Sequence, residues 1–245
     1  MIDAIRSEWI KVSTIRVVWI LASAAVAFPL VITVLTAIFS EDPPDGRDLA
    51  GLVAGLTIVS AMLLGVVSSL SITNEFSHGT IRPTFAAMPD RLRPLFAKPI
   101  VQVTIAVVII VAIVVAGWVA GAALADGTQS LDDDGATAAL IGVVLLGIGL
   151  SLLGYGLGLL IRNTAATICI LLLWPLIAEG LIAGLFVAVG ADGAVALLPY
   201  SSGFNMAVVD PDPDSFGRVG GGLYFFAWVA VILVLGVVSA RRRDA

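Results

Sequence analysis

The sequence predicts an all-α integral membrane fold of six transmembrane helices with both termini cytoplasmic. Three observations carry it. The 245-residue chain is 59% hydrophobic and only 13% charged, against about 45–50% and about 25% for soluble domains. Its apolar residues fall into six blocks, 17–39, 49–72, 99–124, 136–161, 165–189 and 220–240, each near the roughly 20 residues a membrane helix needs. None shows the alternation over about 10 residues of a barrel strand. Finally, charge segregates between the blocks. With the N-terminus inside, eleven of the thirteen Lys and Arg residues lie on the inner side, leaving only Arg47 and Arg218 outside. That is the positive-inside pattern. Twelve of the eighteen acids fall outside, so the net charge of −5 averages two opposed surfaces.

Residues 1–16 read as an amphipathic helix with Ile2, Ile5, Trp9 and Val12 on one face and Arg6, Lys11 and Thr14 off it. It is either an interfacial helix in the headgroup layer or a plain juxtamembrane lead-in. The first block is too long for the 7–15-residue core of a cleaved signal, and Pro29 predicts a kink within it. The acidic, turn-rich outer connections, including Asp132–Asp134, read as solvated loops. In the fourth block Gly142, Gly149 and Gly156 recur every seven residues, and Gly154 and Gly158 form one GxxxG, so close helix packing is expected. Arg162, Asn163 and Thr164 make a tight return. The lone Cys169 reads as a small core residue.

The fifth block holds Trp174, Pro175 and Glu179. Trp174-Pro175 predicts a kink. A carboxyl inside a membrane is costly and therefore a functional candidate. The competing readings are a protonated Glu bonded to a neighbouring helix and a carboxyl reaching an outer water pocket. Residues 190–219 then form a partly apolar outer segment. In it 194–198 is too short to span and is expected as a short or re-entrant helix, followed by Pro199 and a Pro/Asp loop.

Several chemistries lack their residues. There is no GxxxxGK[ST] phosphate loop, no HExxH and no His/Cys cluster for a metal. The single histidine, His78, sits in a loop, away from any membrane serine. Basic residues are too few and too tied to membrane ends for nucleic acid. The sequence thus offers no catalytic residues, no metal ligands and no cofactor site of its own.

The longest cytoplasmic loop, within 73–98, is the most structured-looking connection. Thr80 can cap a short helix with Pro83 in its first turn. Ile81, Thr84, Phe85 and Met88 make an apolar face, Pro89 ends it, and residues 90–98 form a second basic helix leading into the third span. It is either a docking element or a topogenic loop. The run Glu75-x-x-x-Gly79-Thr80-Ile81-Arg82, then Pro89, Arg91 and Lys98, resembles the ABC type-two permease family, whose members carry E-[YF]-x-x-G-T-[IL]-R at this place. The resemblance implies one permease domain over 1–245, with an N-terminal connecting helix, a cytoplasmic coupling helix and a re-entrant outer element before the last span. It makes Glu75, Gly79, Thr80, Ile81, Arg82 and Phe85 the contacts to a separately encoded ATPase, present in two copies, with ATP and Mg held there. It places the chain, as a homodimer or pseudo-dimer, in the bilayer of the cytoplasmic membrane as an exporter of amphipathic or hydrophobic cargo. Glu179, Trp174, Pro175 and Pro199 become candidates for the substrate path or its gate. Two rival readings stay open: a proton-coupled transporter using Glu179, and a non-transporting membrane scaffold.

Overall fold

A computed structural model describes residues 2–40, 42, 44–79, 92–125, 129–132, 134–213 and 215–243. Among these, every regular element is helical. Helix α1 spans Ile2–Thr14, α2 Arg16–Phe39, α3 Gly46–Ser77, α4 Leu92–Leu124 and α5 Ala136–Ile161. Helix α6 (Thr164–Leu173) runs through a π-helical segment, Trp174–Glu179, into α7 (Gly180–Ala188). A 3-10 helix (Asp192–Leu197), the short α8 (Pro199–Phe204) and α9 (Gly217–Arg243) complete the chain. Six helices are long and apolar enough to cross a membrane, the α6–α7 unit counting as one.

Local chemistry sets the ends. The Asp45 carboxylate accepts from Asp48 N at 2.7 Å and starts α3, and the Asn163 side chain accepts from Ala166 N at 3.0 Å and starts α6. Between α5 and α6 the return is as short as the sequence implies: Arg162 takes a left-handed turn (φ 58°), and its guanidinium lies 4.4 Å over the Phe76 ring.

Helices α3 and α5 form the centre. Within their most apolar stretches 61% of residues are buried, against 17% in α2 and in the α6–α7 unit. Glycine explains the closeness. A Cβ on Gly154 would collide with the Gly65 carbonyl oxygen, and one on Gly65 would sit 3.0 Å from the Leu150 oxygen. Two separate glycine faces emerge on α5. Gly154 and Gly158 meet α3. The seven-residue series Gly142, Gly149 and Gly156 meets Met206, Phe225 and Leu233, which lie on the far segment and α9. Such small-residue stripes permit backbone approach in membranes.

Several expectations are corrected. Cys169 is exposed on the bundle surface rather than buried. In α1 the buried residues are Ala4, Glu8 and Val12, while Trp9 is 53% exposed; Val12 and Ile5 of the apolar stripe pack on the bundle with Val67 and Val101, and Glu8 docks beside them. No separate basic helix precedes the third span from residue 92 onward: α4 is continuous through Pro99. In place of a simple kink, Trp174-Pro175 opens six residues of π-helix, a form found often at functional positions. The short helix expected at 194–198 is two elements, one on either side of Leu198. Thr80, Ile81, Arg82 and Phe85, with the helix expected around them, lie outside the described residues.

Candidate functional site

At one end of the bundle four charges meet. Glu8 from α1, Glu75 from the last turns of α3 and Lys98 from the first turns of α4 are buried, Glu8 and Lys98 to more than nine-tenths. Lys98 Nζ donates to Glu8 Oε2 and to Glu75 Oε1, both at 2.6 Å. Lys11, half exposed, donates to Glu8 Oε1 at 2.8 Å and to Glu75 Oε1 at 3.1 Å. Among the described residues the cluster sets two acidic side chains against two lysines. Burial works to lower the Lys11 pKa, but hydrogen bonding and Coulomb attraction from Glu8 and Glu75 prevail and raise it. A cavity of about 210 Å³ adjoins the cluster, lined among others by Asn74, Glu75, Lys98 and Gln102. Buried ion pairs of this kind add little net stability, since desolvation offsets attraction, but losing one partner is expensive. Their effect is to fix one arrangement of three elements. Here those elements are α1 and the two stems from which residues 80–91 emerge.

Toward the other end Glu179, 1% exposed, closes the π segment. Its Oε1 accepts from Tyr200 N at 3.1 Å; its Oε2 accepts from Ser201 N at 2.8 Å and Ser201 Oγ at 3.0 Å. The two main-chain donors are N-terminal amides of α8, which a helix cannot satisfy itself, so the Glu179 side chain from the fifth span caps a helix twenty residues downstream in the chain. The same segment is tied elsewhere. Arg218 donates to the Met206 and Val209 carbonyls at 2.8 and 3.1 Å, and Tyr224 Oη donates to Leu197 O at 2.9 Å. Arg47 pairs with Asp210. Next to the Glu179 cap a side-facing cleft of about 390 Å³ opens between α5, α6 and α9, with Trp174, Pro199, Tyr200 and Trp228 in its walls.

A family model for ABC-2 family transporter proteins matches residues 4–189. The chain belongs to the ABC-2 transporter family. No curated protein matches the sequence. The family match takes in α1, the first five spans, and both Glu8 and Glu179; the α8 region and α9 lie beyond it. With six apolar helices and this membership, the molecule is the multi-pass membrane subunit of a transporter.

Of the residues singled out in the permease from sequence, Glu75 is in the charge cluster, and Gly79 (φ 66°) ends the described part of its stem. Glu179 reaches the start of the helix that Pro199 opens. Glu179 and Pro175 are the buried residues of the π segment, and Trp174 and Pro199 face the same cleft. Sequence reading missed Glu8 and the pairing role of Lys11 and Lys98. Glu8 had a signal, being an acid off the apolar stripe of the N-terminal helix, one turn from Lys11. Tyr200 had none stronger than its place after Pro199.

Proposed function

We propose that this permease is the membrane half of an ATP-driven exporter, with N- and C-termini cytoplasmic, in which two copies pair above two separately encoded ATPase subunits. ATP and Mg would be bound by the partner, and the loop containing Gly79, Thr80, Ile81, Arg82 and Phe85 would receive the push. The observation that supports this most directly is the Glu8–Lys98–Glu75–Lys11 cluster. It joins α1 to both stems of that loop, so displacement of the loop moves three elements together instead of bending one connection. Packed and ion-paired interfaces have discrete rather than graded arrangements, which suits switching between inward and outward access. The charge asymmetry of the loops supports the orientation, and the low-charge interior supports apolar cargo.

Glu179 fits this reading as a gate fastening. Three hydrogen bonds already engage its two oxygens, which favours an anchor between the fifth span and a re-entrant α8 over a proton relay. The cytoplasmic membrane is the expected location.

The test is co-purification in mild detergent from the native host. A Walker-motif ATPase should accompany the chain, and Arg82→Glu should release it or abolish ATP-dependent transport while leaving the permease folded. Normal coupled transport by Arg82→Glu would refute the loop assignment.

A further inference from the structure

We propose that the cleft beside Tyr200 is a binding site for a small aromatic ligand carrying one hydrogen-bond acceptor, entered sideways from the membrane. This names a cargo chemistry and rests on the transporter reading. Three observations converge on it. The first is size and lining. About 390 Å³ lies at the small end of ligand pockets, enough for two linked rings. Trp174, Tyr200, Phe225 and Trp228 contribute to the walls alongside Leu157 and Ile170, and such faces stack on aromatic rings in offset or edge-on geometry.

The second is an orphan donor. Tyr200 is 95% buried by its 5% exposure, and its hydroxyl has no hydrogen-bond partner among the described residues. Buried hydroxyls are ordinarily paired. The Tyr200 main chain is held by the Glu179 carboxylate, and its ring packs against Phe204 and Phe225, with centroids 6.0 and 6.3 Å away. Tyr200 is thus fixed in place at the wall of the cleft, with its unpaired hydroxyl buried behind that wall.

The third is depth. Trp174 lies about 15 Å along the helix from the Thr164 end of the fifth span, and Phe225 and Trp228 about 12–16 Å from the Gly217 end of the sixth. In a hydrocarbon core of about 30 Å these are middle positions. Bilayer lipids carry their ester and headgroup acceptors at the edges of that core and present only methylenes at its centre. A hydroxyl donor at this depth is therefore matched by a ligand that brings its own acceptor inside, not by an ordinary acyl chain.

The experiment uses the purified full-length chain in nanodiscs and a matched pair of probes. 4-Bromobenzophenone has two rings, a carbonyl acceptor and a bromine that quenches tryptophan on contact; 4-bromodiphenylmethane has the same rings without the acceptor. Trp9, Trp19 and Trp118 are changed to Phe, so the signal comes from Trp174 and Trp228. The expected result is saturable quenching by the ketone, about five- to tenfold tighter than by the hydrocarbon. Tyr200→Phe should erase that preference while leaving hydrocarbon binding unchanged, and Ile170→Phe, which narrows the entrance, should weaken both. The ratio of two probes within one variant separates lost recognition from lost folding. Equal affinity for both probes, or a preference that survives Tyr200→Phe, overturns the proposal. So does quenching that a dibrominated phosphatidylcholine reproduces and that neither probe competes away, since the cleft would then be a lipid seam. No ATPase enters the assay, so failure here leaves the ATPase co-purification result standing, and failure there leaves this one.

Discussion

Lys98 shows how much one side chain can decide. It is 3% exposed and holds two carboxylates from different helices. Lys98→Met would take from Glu8 and Glu75 the buried ammonium group that bridges them. Loss of one member of a buried ion set costs about 3–5 kcal/mol, whereas replacing the whole set by apolar groups is often neutral. Lys98→Met should therefore lower the unfolding temperature markedly in detergent, and the triple change Glu8→Gln, Glu75→Gln, Lys98→Met should recover most of the loss. Under the proposed function, the triple variant would stay folded yet transport poorly; full transport would show that the cluster is only architectural. The raised pKa of Lys11 gives the alkaline side of the same test. A raised pKa means its contribution is complete below the ordinary value of 10.5 and fades as pH rises through the higher folded value. Stability from this contact should be flat from pH 7 to 9 and fall only above about 10.5, as read by thermal scans across that range.

Helices behave according to which face carries glycine. Gly154→Ala places a methyl against the Gly65 carbonyl. Backbone cannot yield as a side-chain tip can, so the α3–α5 pair must separate, at a cost of at least about 1–3 kcal/mol. Gly184→Ala, in α7, meets nothing within 4 Å and should be close to silent. Parallel thermal melts of the two variants test this contrast, and equal effects would place the helix seam elsewhere. The spans were readable from sequence because hydropathy and length are summed over many residues: 136–161 coincides with α5, and 17–39 differs from α2 by one residue. The glycine stripe was readable as packing, but not which neighbour each face meets, because periodicity records a face and not its partner. The docking of Glu8 was hidden for a related reason: only the three-dimensional meeting with Lys98 reveals it. The split around Leu198 was likewise invisible; a Glu179 bonded to a neighbouring helix was among the sequence readings, but not which helix, since the side chain and the amides it meets are far apart in sequence and share no motif.

Across the bundle, charge is arranged by side. The end that gathers Glu8, Glu75 and Lys98 also receives the Arg-rich end of α9, while Asp45, Asp48, Asp192, Asp210 and Asp212 lie toward the opposite end. For the proposed orientation this fixes what an impermeant reagent can reach. With Cys169→Ala as background, Asp192→Cys should be labelled by a membrane-impermeant maleimide on intact cells, and Thr14→Cys only after the membrane is opened. The reverse pattern would invert the topology.

The charge cluster also bears on how such a molecule is made. Glu8 and Glu75 leave the ribosome well before Lys98, which is at the start of the third span. Until that lysine is inserted, the buried ammonium group that bridges the two acids is missing and the cluster is incomplete. The full cluster can therefore close only once the third span is in place, which ties the final seat of the N-terminal helix to a residue made ninety positions later.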